Sequence, residues 1–130
     1  MLLTKSQILA ADDLKTTDVD VPEWGGTVRI KGMTGAERDA FEETLFTGEG
    51  TNRKTNLTNM RARLVAVTII GEDGNRLFSD AEVGDLAKKS AAALSRCFEA
   101  AQRLNGMTGV AVDEAKNASS VAPNDASTSA

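Results

Sequence analysis

The sequence predicts a mainly α, α+β domain: one N-terminal β-hairpin packed on about four helices, followed by a disordered C-terminal tail. Three observations carry this expectation. Asp18–Val21 and Val28–Lys31 alternate polar and apolar residues on either side of a Pro- and Gly-rich turn. Apolar residues at helical spacing then recur behind capping signatures. After Gly106 there is no Leu and no aromatic residue. The folded domain is expected over residues 1–106 and the tail over 107–130.

The hairpin is expected over residues 18–31. Setting Val21 opposite Val28 places Asp20 against Arg29, Val19 against Ile30 and Asp18 against Lys31. One face is then Val and Ile, and the other carries opposite charges; a slip by one residue sets apolar against charged. Before it, Thr4–Ala11 reads as a short helix with Thr4 as N-cap, too short to stand without docking.

Thr34 and Glu37 form a capping box for a helix over 35–46, with Phe41 and Leu45 inward. Thr47–Asn56 holds two Gly and no apolar residue, which predicts a mobile loop. Leu57, Met60, Leu64 and Val67 stripe a helix over 57–70, apolar on nearly every side in its second half and so central to the core. Gly71 ends it; Glu72-Asp73-Gly74-Asn75 is a turn before the extended piece Arg76-Leu77-Phe78. Ser79 and Glu82 form a second capping box, for a helix over 80–87. Leu94, Cys97, Phe98, Ala101 and Leu104 stripe the last helix, 90–105, which Asn105-Gly106 stops.

The 130 residues suit one domain with a modest core, 41% hydrophobic but only 4% aromatic. The net charge of -4 argues against general affinity for phosphate backbones or anionic membranes, so neither nucleic acid nor membrane is expected as partner. Cys97 is the single cysteine, so no internal disulfide forms and a reducing compartment fits. No apolar run reaches membrane-spanning length, and Met1-Leu2-Leu3-Thr4-Lys5 lacks a basic n-region, so no signal peptide is read.

Catalytic chemistry has little to work with. There is no His, which removes the commonest general base and transition-metal ligand. Cys97 lies on an apolar stripe with nothing to activate it and reads as an inert core thiol. Glu72–Asn75 lacks the alternating ligands of a calcium loop, and Gly25-Gly26 has neither the Lys nor the helix of a phosphate loop. No catalytic residue, metal or cofactor is assigned, and the chain reads as a binding protein.

Trp24 stands in a hairpin turn beside Pro22, Glu23 and two glycines. It either folds back on the core or projects as an anchor for another subunit. Arg29 and Lys31 on the hairpin, and Arg61 and Arg63 near the basic Arg53-Lys54 pair, are the further candidate partner contacts. A two-stranded hairpin also has free edges that permit self-association.

Val21-Pro22-Glu23-Trp24-Gly25-Gly26-Thr27-Val28 with Gly35-Ala36-Glu37-Arg38 resembles the N-terminal part of the tail assembly chaperones of long-tailed phages. Lys89–Leu94 with Phe98–Asn105 resembles their last helix, and the similarity spans about Val19–Gly106. The resemblance implies a non-catalytic chaperone that binds the tape-measure protein, helps tail tube subunits polymerise around it, acts in the host cytoplasm and is absent from the mature virion. Many chaperones of this kind also have a longer form made by frameshifting; codons GCA AAA AAC for Ala115-Lys116-Asn117, or GCA AAA AAG for Ala87-Lys88-Lys89, would contain a slippery heptamer. Slippage, if any, is expected at the former, near residue 116, where it would spare the folded domain. The alternative is a small structural component of the virion, a tail or head–tail connector subunit.

Overall fold

The structure, a computed structural model, describes residues 1–107. The expected tail and the slippage site at residue 116 lie outside the described residues, except for Met107. That side chain is 1% exposed and belongs to the core, so the packed unit runs past Gly106.

The hairpin forms from β1 (Thr16–Val21) and β2 (Gly26–Lys31), but its register differs by two residues from the expected one. Asp18 faces Arg29, Val19 faces Val28 and Val21 faces Gly26. The cause is the turn. Pro22–Trp24 coils into one 3-10 turn that Gly25 closes at φ 76, with Gly25 N donating to Pro22 O at 3.0 Å. Only Gly adopts that φ without strain. Four residues therefore connect the strands where a six-residue loop was expected. A two-residue slip preserves the faces: Val21 and Ile30 are buried, whereas Asp18, Asp20 and Arg29 are exposed.

Helix α1 (Lys5–Ala10) forms behind Thr4 with a full capping box to Gln7, yet every residue in it is exposed. Helix α2 (Gly35–Glu43) opens on the Thr34–Glu37 capping box and buries Phe41. The stretch read as a mobile loop is an ordered two-stranded ribbon, β3 (Phe46–Thr47) against β4 (Lys54–Thr55), turned by a 3-10 segment at Gly50–Asn52. Arg53 holds it from the side, pairing with Glu43 at 3.1 Å and lying 4.6 Å over the Phe46 ring. Polar residues hold this ribbon, so an apolar pattern gave no sign of it.

Helix α3 (Met60–Thr68) is shorter than the apolar run 57–70 suggested. Ile69 and Ile70 leave it as β5, antiparallel to Arg29 and Ile30 of β2, extending the hairpin to a three-stranded sheet of order β1-β2-β5. Both side chains stay buried. Two β-branched residues before Gly71 suit a buried strand as well as a helix end, and periodicity does not separate the two. Helix α4 (Val83–Leu86) follows a 3-10 turn whose capping box joins Ser79 and Glu82.

Helix α5 (Ala91–Leu104) lies across the sheet and against α3, burying Leu94, Cys97, Phe98 and Ala101. Glu99 and Arg103, spaced for a pair, make no ion pair among the described residues. Asn105 caps the helix and Gly106 leaves it at φ 66. The Asn105 side chain also reaches back to the β2–α2 junction: Met33 N donates to its Oδ1 at 2.6 Å, and its Nδ2 donates to Ala101 O at 2.8 Å.

Candidate functional site

The 3-10 turn that shortens the hairpin also aims Trp24. Glu23 is turned toward α5 and pairs with Arg96 there, fixing the turn to the helix bundle. Trp24, on the other side, folds back half-buried against the core. Of the two arrangements open to it from sequence, it takes the first, but it does not close the surface. A slot of about 330 Å³ remains beside it, lined by Val28, Ile69, Leu77, Phe78 and Leu86, with Asp85 and Lys89 at its rim.

Two features make this slot a candidate binding surface. Leu77 is 53% exposed, although its backbone is pinned by its N–H to Ile69 O at 3.1 Å. With Trp24, Val28 and Phe78 beside it, the exposed Leu77 is part of a contiguous apolar patch. The indole Nε1 of Trp24 is buried and reaches no acceptor among the described residues. A buried donor without a partner is costly, and an acceptor brought by a ligand would relieve it.

Val28 and Leu77 also line a second hollow of about 370 Å³, which Asp18, Arg29, Ile70 and Glu72 share. β5 pairs with β2 at Arg29 and Ile30, so among the described residues Gly26–Val28 keep one edge unpaired beside both hollows. Apolar contact and backbone hydrogen bonding are thus offered side by side.

Arg29 enters this region already engaged. Its Nε and Nη2 donate to Asp18 Oδ1 and Oδ2 at 2.7 and 3.1 Å. The hydrogen bonds from Arg29 hold the Asp18 carboxyl below the usual carboxylate range. The pair therefore favours the fold above that range and is lost as pH falls through the lowered value. Both groups are about half exposed, so its contribution is small.

The remaining candidates lie elsewhere. Lys31 stands at the far end of β2 opposite Thr16, in no ion pair among the described residues. Arg61 is exposed on α3, with its guanidinium 5.8 Å from the Phe98 ring centroid. Arg63 is taken into the structure: its Nη1 donates to Thr44 O and its Nη2 to Asn56 O at 2.8 Å, tying α2 and the ribbon to α3. Burial lowers its pKa. The structure therefore brings Trp24 and Arg29 to adjoining hollows and separates Lys31, Arg61 and Arg63 from them. Leu77 was missed: the sequence reads Arg76–Phe78 as an extended piece, whereas Leu77 and Phe78 form a bend that sets both residues beside one slot.

Cys97 is fully buried, and burial raises its thiol pKa. Iodoacetamide at neutral pH should leave the native chain essentially unlabelled and modify Cys97 only after unfolding; rapid native labelling would contradict this packing.

Residues 4–119 match the family model described as phage tail assembly chaperone. The chain belongs to that family. Its fold agrees: the structure of the bacteriophage HK97 tail assembly chaperone superposes with a TM-score of 0.54 and 19% identity, over 76% of this chain and 90% of that one. No curated protein matches in sequence. For a tail assembly chaperone, an apolar slot with an unpaired strand edge is a surface suited to a protein partner. No helix among the described residues is long and apolar enough to cross a membrane.

Proposed function

We propose that this tail assembly chaperone binds the tape-measure protein in the host cytoplasm, keeps it soluble while tail tube subunits polymerise around it, and leaves before the virion matures. The slot beside Trp24 carries this reading, because it offers an aggregation-prone helix a fixed apolar seat at Val28, Leu77 and Phe78. The mechanism is holding, with no covalent step and no cofactor. Each Leu-sized side chain buried contributes about 1.5–3 kcal/mol. Association and ordering take back much of that, so a seat for two or three side chains grips weakly and releases readily. Many sites along a long client then require many copies, and contact between copies of the chaperone would reinforce binding.

Co-expression with the tape-measure protein of the same gene cluster tests the reading. The client should be insoluble alone, and soluble and co-purifying with this chain. Trp24→Ala should reduce the recovered complex at least fivefold while the chaperone itself stays soluble. A client that ignores the chaperone would contradict the proposal. So would stoichiometric copies of this chain in purified virions by mass spectrometry, which would place it instead as a tail or head–tail connector subunit.

A further inference from the structure

The N-terminal segment carries apolar side chains that the chain does not cover. Leu2, Leu3, Ile8 and Leu9 are 94%, 60%, 56% and 77% exposed. A six-residue helix such as α1 has little stability of its own in water, even with its capping box complete. An apolar face on such a helix needs cover from elsewhere. Two exposed carboxylates follow it, Asp12 and Asp13, and neither is in an ion pair among the described residues. Of the two lysines of this arm, Lys5 lies at its opposite end, roughly 9 Å away along the helix, and Lys15 stands where the arm joins the body, its carbonyl accepting from Gly32 N.

A groove of about 450 Å³ between α3 and the start of α5 has the complementary character. Leu57, Met60 and Leu94 line it, and Arg61 and Lys89 stand exposed at its rim. Neither cation is in an ion pair among the described residues. Other hollows are mixed in sign: the Trp24 slot sets Asp85 against Lys89, and a groove beside α2 sets Glu37 and Asp80 against Arg63 and Arg76. Charge therefore selects the Leu57–Met60–Leu94 groove for the stretch Ile8–Asp13, which is apolar and then acidic.

We propose that this groove receives the N-terminal arm of a second copy of the chain, with Ile8 and Leu9 on its apolar lining and Asp12 and Asp13 against Arg61 and Lys89. The arm leaves the body at Lys15, whose carbonyl accepts from Gly32 N at 2.8 Å, beside Asn105 at the C-terminal end of α5. The groove lies at the N-terminal end of that helix, about 20 Å away. Arm and groove thus sit at opposite ends of one protomer, which presents each of them to a neighbour. The inference names the surfaces for the contact between copies invoked in the preceding section.

Sedimentation velocity of the full chain over a range of concentrations tests it without any client, so its outcome is independent of tape-measure binding. The natural chain should form larger species as concentration rises. Ile8→Asp with Leu9→Asp should abolish them, and Arg61→Glu with Lys89→Glu should weaken association at least tenfold. Adding Asp12→Lys and Asp13→Lys to the latter pair should restore most of the loss. All these positions are exposed, and circular dichroism should show the fold intact in each variant. A natural chain that stays monomeric throughout would overturn the proposal. So would undiminished association of the Ile8→Asp, Leu9→Asp chain, or failure of the double charge exchange to restore it.

Discussion

Replacing Leu64 with alanine is expected to lower the unfolding free energy by about 2–5 kcal/mol. Leu64 is 0% exposed on α3, the helix that touches α5, α4, α2 and β2. Three methyl-sized groups would leave a cavity that elements on several sides cannot all close. Domains of this kind have about 5–15 kcal/mol of stability in all, so the loss is a large part of it. Urea unfolding followed by far-ultraviolet circular dichroism measures it. Glu99→Ala is the control: the side chain is exposed on α5 and in no ion pair among the described residues, and its removal should change stability by no more than about 0.5 kcal/mol. Equal effects at the two sites would mean that α3 is not the centre of the core.

Replacing Asn105 with alanine should destabilise the domain by about 1–3 kcal/mol, a large effect for a helix-capping position. The side chain accepts from Met33 N and donates to Ala101 O, so it joins the end of α5 to the residues between β2 and α2. Arg38 Nη1 adds a bond to the Asn105 carbonyl at 3.1 Å. Alanine leaves the N–H of Met33, a residue only 8% exposed, without its acceptor. Asn105→Asp keeps the acceptor and loses the donor, so it should fall between alanine and the natural residue. Amide hydrogen exchange at Met33 locates the effect: alanine should accelerate it well beyond the exchange in α3. Unchanged protection at Met33 would remove the proposed link.

These two positions show what the sequence made legible. Leu64 was readable because a stripe at helical spacing states which side of a helix is buried. Asn105 was readable only as a stop signal; its partner Met33 is 72 positions away, and nothing local announces it. The hairpin divides in the same way. Alternation fixed which side chains face the core, but registers two residues apart satisfy that alternation equally, and the 3-10 turn at Pro22–Trp24 decided between them. Ile69 and Ile70 were legible as buried and not as a strand, because an apolar run loses its period. The same limit hid the slot. Trp24 drew notice through its residue type, whereas Leu77 became a site residue only once β5 and the following turn set it beside Val28.

Trp24 is the only tryptophan in the chain, so its emission reports directly on the slot. The decisive measurement is a titration of the purified chaperone with tape-measure segments lacking tryptophan, read by Trp24 fluorescence. Binding at the slot should shift the emission to shorter wavelength, saturate with added segment, and weaken at least tenfold in Leu77→Asp. Client binding that leaves Trp24 emission unchanged, or that Leu77→Asp does not weaken, would contradict the assignment of the slot as the client's seat.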